Sequence, residues 1–214
     1  MNAIQKHILK IGLLLALFAI GATSLVVITE QATRQKIIDN EREALLSALN
    51  ALVPAEKYNN DILLDTLIVP ESYLLSTTEP TAAYRARMDN KPVAIVFTSV
   101  APNGYNGKIK LLIGVKHDGI LAGVRVISHK ETPGLGDKID ERKANWIHQF
   151  KDLSLMNPDS SKWHVKRDGG EFDQFTGATI TPRAVIAAVK NALHYFERHQ
   201  EQLFQASELT TAHD

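Results

Sequence analysis

The segment Asp173-Gln174-Phe175-Thr176-Gly177-Ala178-Thr179-Ile180-Thr181-Pro182 crowds three threonine hydroxyls, a glycine and an alanine before an amphipathic stretch. Small residues let a ligand approach the backbone closely, and unpartnered N–H groups at a helix entrance attract an anion. The residues alone support two readings. One is a capping loop, with Thr181 as N-cap and Pro182 in the first helical position; the other is a phosphate or anion site. A second segment, His129-Lys130-Glu131-Thr132-Pro133-Gly134-Leu135-Gly136-Asp137-Lys138, sets polar side chains on a loop stiffened by one proline and two glycines. Its composition suits a strand-to-helix connection as well as a ligand contact.

Much other chemistry is excluded. The chain has no cysteine, which removes disulfides, thiolate nucleophiles, Cys-ligated zinc and Cys-ligated iron–sulfur clusters. Lys+Arg and Asp+Glu both total 24, so no excess basic charge points to nucleic acid, and none is expected as a partner. Gly134 opens what looks like a dinucleotide fingerprint, but the sixth position is Ile139 and no helix starts there. His194 and His199 stand five apart, on different faces of a helix, and no Glu-x-x-His pair exists. No metal site and no catalytic acid or base are expected.

The elements that must hold these segments can be read from hydrophobic periodicity. Residues 11–29 carry no charge, which as a helix gives roughly 28 Å, close to a bilayer's hydrocarbon thickness. Small residues at 22–24 would suit signal cleavage, but Leu25-Val26-Val27-Ile28 prolong the apolar run past them and favour an uncleaved anchor. Lys6 and Lys10 precede the run and Glu30 follows it, so the N-terminus is expected in the cytoplasm. An apolar stripe then predicts a helix over 31–52, ended by Pro54. A β-branched strand is predicted over 92–100, and a turn over 104–107. An alternating, half-buried strand follows over 109–115, then a hairpin at 117–119 and a return strand over 120–128. A short helix is predicted over 140–150, a brief strand over 163–165 and a long helix from Pro182 to about Phe204. The expected class is α+β: one N-terminal transmembrane helix, then a single domain with an antiparallel sheet and flanking helices.

The run Asp173-x-x-Thr176-Gly177-Ala178-Thr179 resembles the flavinylation signature Asp-x-x-(Ser/Thr)-Gly-Ala-Thr of the FMN-binding domain family. The loop Glu131-Thr132-Pro133-Gly134-Leu135-Gly136 and the turn Gly104-Tyr105-Asn106-Gly107 are similar to further features of that family, in the same order. The resemblance implies FMN joined to Thr179 through a phosphoester, placed there by a separate flavin transferase using FAD and magnesium. It implies cofactor contacts from Asp173, Thr176, Gly177, Ala178, Thr181, Glu131, Thr132, Gly134, Leu135, Gly136 and Lys138. Trp146 is expected as an aromatic neighbour of the ring and is equally a core candidate. The chain is most similar to the Rnf-complex branch, whose members carry electrons within an ion-translocating membrane complex. A role in a sodium-pumping NADH:quinone oxidoreductase is the alternative, as is a tethered binding or assembly module without flavin. The implied organisation is a cytoplasmic N-terminus at 1–10, a transmembrane helix at 11–29, and a linker helix with the start of a periplasmic domain at 30–90. The FMN-binding domain would follow at 91–204 and a tail at 205–214. Expected partners are the other proteins of the complex, the flavin transferase and inner-membrane lipid.

Overall fold

A computed structural model describes residues 2–205. The chain forms two compact units, the first ending at Ser47 and the second beginning at Ala48. Helix α1 runs unbroken over Ala3–Leu52, so the two helical stretches expected on either side of residue 30 are one element. It is the one helix among the described residues that is long and apolar enough to cross a membrane. Thr29 and Thr33 do not interrupt it, because each hydroxyl donates to the carbonyl four residues earlier, at 2.8 Å.

Five antiparallel strands follow, in a sheet whose spatial order is the chain order: β1 Thr66–Val69, β2 Thr81–Met88, β3 Lys91–Gly104, β4 Gly107–Lys116 and β5 Leu121–Ser128. The β2–β3 connection is a two-residue turn. Asp89 and Asn90 both adopt positive φ there, a conformation their short polar side chains tolerate better than most. Strand β2 escaped the periodicity reading because Arg85 occupies one of its buried positions, at 1% exposure. Strand β4 is more covered than its alternation suggested: Leu112, expected on the solvent face, is 2% exposed. The reason is a sheet covered on both faces. A Cβ at Gly114 would lie 3.3 Å from the Leu52 Cβ on one side, while α2 (Ile180–Phe204) covers the other.

Helix α2 packs Val185, Val189, Leu193 and Phe196 onto the sheet, and Tyr195 meets Phe97 of β3 at a ring separation of 6.0 Å. Each such fully buried side chain contributes about 1.5–3 kcal/mol relative to exposure. The 140–150 helix forms only as a 3-10 turn over Asn145–Phe150, after a shorter one at Gly136–Ile139. Residues 163–165 are not a strand; Val165 makes an isolated bridge to Phe172. That segment instead folds around an aromatic cluster in which Phe150 stacks on Phe172 at 5.1 Å and Trp163 packs beside both. At the far end of α2, the Phe204 and Gln205 carbonyls accept from Arg87 Nη2 at 3.1 Å and Arg85 Nη1 at 2.5 Å. Asp65 pairs with both arginines. The tail expected at 205–214 lies outside the described residues, apart from Gln205.

Candidate flavin site

The Thr132-Pro133-Gly134-Leu135 stretch makes a tight turn. Gly134 takes φ +77°, and the Thr132 carbonyl accepts from the N–H groups of Leu135 and Gly136, both at 3.1 Å. Proline then glycine at the two central positions is what a turn with a left-handed third residue requires. The signature loop is built the same way. Ala178 N–H donates to the Phe175 carbonyl at 3.1 Å, with Gly177 at φ +80°. Phe175 is buried and meets the Trp146 ring edge-on at 5.2 Å, which ties the loop to the aromatic cluster.

These two turns and the β3–β4 hairpin tip enclose a cavity of about 260 Å³. Glu131, Thr132, Leu135, Gly136, Gly177, Ala178, Thr179 and Thr181 line it, as do Tyr105 and Ile180. Glu131 is the tie between the three segments. Its carboxylate, only 4% exposed, accepts from the Asn106 N–H at 3.0 Å, the Tyr105 N–H at 3.3 Å and the Thr181 hydroxyl. Gly136 fits because it has no Cβ: one would stand 2.8 Å from Thr181 Oγ1 and 2.9 Å from Glu131 Oε2. On the opposite side Asn106 donates to Thr132 Oγ1 at 3.1 Å.

Thr181 is not the N-cap. Helix α2 begins one residue earlier, with Thr179 at the cap position, because burial of the Thr181 hydroxyl against Glu131 takes that side chain away from capping. No hydrogen bond among the described residues engages the Thr179 hydroxyl or the N–H groups of Thr179, Ile180 and Thr181. Trp146 and Asp173 lie outside the cavity lining: the indole N–H donates to the Asp173 carbonyl at 2.7 Å, and the Asp173 carboxylate pairs with Lys166 at 2.6 Å. Thr176 is exposed at the tip of its turn, while Gly134 and Lys138 also fall outside the lining. Arg183, the nearest arginine after Thr179 in the chain, forms a two-point pair with Asp168 at 2.7 Å, which holds the Asp168 carboxyl below the usual range. Tyr105 and Ile180 were not singled out from sequence. The aromatic at a hairpin tip was the available signal for the first; nothing distinguished the second.

The cavity suits a flavin mononucleotide. It offers free N–H donors and a free hydroxyl for one phosphate, apolar surface from Leu135, Ile180 and Tyr105 for a ring, and no bulky group at Gly177 or Ala178. An antiparallel sheet with such a cavity beside the entrance of a long helix is the arrangement of an FMN-binding protein. The FMN-binding domain family matches residues 104–194, and the RnfG N-terminal region matches residues 1–52.

The chain belongs to the RnfG family, whose members are subunits of the ion-translocating oxidoreductase complex. It is 48% identical to the RnfG-type relative from Shewanella baltica (strain OS223), over 94% of each chain. It is 46% identical to the one from Pseudoalteromonas atlantica, over 95% of this chain and 94% of the relative. The relative from Vibrio cholerae serotype O1 (strain ATCC 39541) is also 46% identical, over 95% of each.

Proposed function

We propose that this chain is the membrane-anchored electron-carrying component of a complex that couples electron transfer to ion translocation, with FMN attached to Thr179 by a phosphoester. Family membership supports the first part, including FMN as cofactor and further subunits as partners. The observation that carries the second is the Thr179 hydroxyl, free of any hydrogen bond among the described residues and opening into the cavity beside three unpartnered N–H groups.

The proposed attachment follows from what the residues can and cannot do. A threonine hydroxyl is a weak nucleophile and no base touches this one, so a separate transferase must activate it. Thr179 Oγ1 then loses its proton and gains the FMN phosphoryl group of FAD, with AMP leaving. The N–H groups at the start of α2 hold the single charge of the resulting diester without an arginine. Bound FMN supplies one- and two-electron transfer. Leu135 and Ile180, 42% and 48% exposed, shield one portion of the ligand from water. The cavity of about 260 Å³ is smaller than pockets that enclose whole cofactors, at roughly 300–1,000 Å³. Part of the ligand therefore stays at the surface, where a neighbouring protein of the complex can reach it. In this reading α1 anchors the chain in the inner membrane through residues 11–29, with residues 91–204 forming the flavin domain on the periplasmic side.

Thr179→Val deletes the acceptor oxygen and nearly keeps the shape. Co-produced with a flavin transferase, this variant is expected to lose both in-gel flavin fluorescence after denaturation and the mass of FMN less one water. Thr176→Val and Thr181→Val are expected to keep an adduct. An adduct that persists in Thr179→Val would refute the assignment, and none in the unsubstituted chain would refute covalent attachment altogether.

A further inference from the structure

Among the residues that line the cavity, Glu131 alone carries a formal charge, and that charge is negative. The cations around the signature loop are committed elsewhere, Arg183 to Asp168 and Lys166 to Asp173, and Lys138 does not line the cavity. The position of the carboxylate matters as much as its sign. It is bonded to Thr181 in the first turn of α2, where it offsets the positive end of the helix dipole that would otherwise draw in an anion. A phosphate monoester carries about −1.5 to −2 charges at neutral pH, and a diester carries one fewer ionisable oxygen.

We propose that Glu131 is a specificity-determining residue that makes this cavity reject free flavin phosphate, so that it keeps FMN only as the attached diester. The proposal rests on the reading of the cavity as the flavin site. Attachment removes the second negative charge, and the tether offsets the association cost that the remaining repulsion adds to. The unattached ligand class the cavity accepts is accordingly the neutral one: an isoalloxazine with its ribityl chain and no phosphate. A basic side chain in place of Glu131 would favour the free nucleotide, yet the three donors from Tyr105, Asn106 and Thr181 demand an acceptor at that position.

The test uses the full-length chain in detergent, produced in a host without a flavin transferase and titrated with riboflavin and with FMN while flavin fluorescence is followed. Riboflavin is expected to bind about tenfold more tightly than FMN, the scale of one charge–charge repulsion at a partly exposed site. In Glu131→Gln the gap is expected to close through tighter FMN binding, with riboflavin unchanged. Glutamine can still accept from the Asn106 N–H through its carbonyl and donate to Thr181 through its amide. Equal affinities in the unsubstituted chain, a gap that survives Glu131→Gln, or no binding of either flavin each overturn the proposal. The first comparison needs no variant, so a misfolded Glu131→Gln leaves it decisive. Covalent attachment is judged separately by the mass of transferase-treated chain, so failure of the titration is not failure of that reading.

Discussion

The Thr181 hydroxyl donates to the Glu131 carboxylate across 50 residues of sequence, and both groups are almost wholly buried. This contact joins the loop after β5 to the first turn of α2, and the cavity forms between them. An unmade hydrogen bond at a buried charged group costs about 1–3 kcal/mol or more, so the pair fixes the helix start firmly.

Gly136→Ala should loosen that contact. The added methyl has no room beside Thr181 Oγ1 and Glu131, at 2.8 and 2.9 Å, and neither side chain can retreat without losing a bond. The expected loss of stability is about 1–3 kcal/mol, by denaturant titration, with a parallel fall in flavin loading. Unchanged stability would mean that the loop yields easily.

Trp146→Phe tests the support of the signature loop from outside the cavity. Phenylalanine keeps edge contact with Phe150 and Phe175 but deletes the N–H that holds the Asp173 carbonyl. We expect a stability loss of about 1 kcal/mol. We also expect slower loading by the transferase and faster proteolysis within residues 173–178. Loading at the unsubstituted rate would show that the loop needs no such tether.

Asp140 supplies a pH signature. The Arg142 guanidinium hydrogen-bonded to it holds its carboxyl below the usual range, outweighing its burial, with a further contribution from His129. A carboxyl depressed in the folded state stabilises the fold fully above its unfolded pKa, and loses that contribution as pH falls through the folded value. Asp140→Asn is therefore expected to be less stable than the unsubstituted chain near neutrality, with the difference shrinking as pH drops below about 4. Denaturant titrations across that range check this; a difference that grew in acid would contradict it.

Orientation in the membrane is open to direct test. With Lys6 and Lys10 on one side of an uncharged stretch, a reporter fused after Gln205 should be active only in the periplasm. Protection of the C-terminal unit from protease in intact spheroplasts would reverse the proposed topology.

The sequence made the broad architecture legible because hydrophobic period and turn chemistry agree in most of it: β3, β4, β5, α1 and α2 all follow their patterns. Strand β2 did not, because a buried Arg85 satisfied by Asp65 and by backbone carbonyls is indistinguishable in sequence from a solvent-facing arginine. The start of α2 was placed at Pro182 by capping rules that hold when the cap hydroxyl is free; here a tertiary contact recruits Thr181 instead. Spacing near residue 179 identified an anion site without saying what joins it, and the second wall, at Tyr105 and Glu131, depends on contacts between distant segments that no local pattern encodes.

Helix α2 has no acidic residue in its own first turn and no basic residue in its last. The missing charges are lent by the rest of the fold: a carboxylate, Glu131, at its amino end, and two guanidinium groups, Arg85 and Arg87, at its carboxyl end. Both complement the helix macrodipole, and neither is present until the sheet has assembled. A chain caught partway through folding thus has a frayed α2 and no ordered entrance at Thr179. Flavin attachment, if it needs that entrance, becomes a quality mark: the yellow fraction of a preparation would count the molecules that had reached their native state.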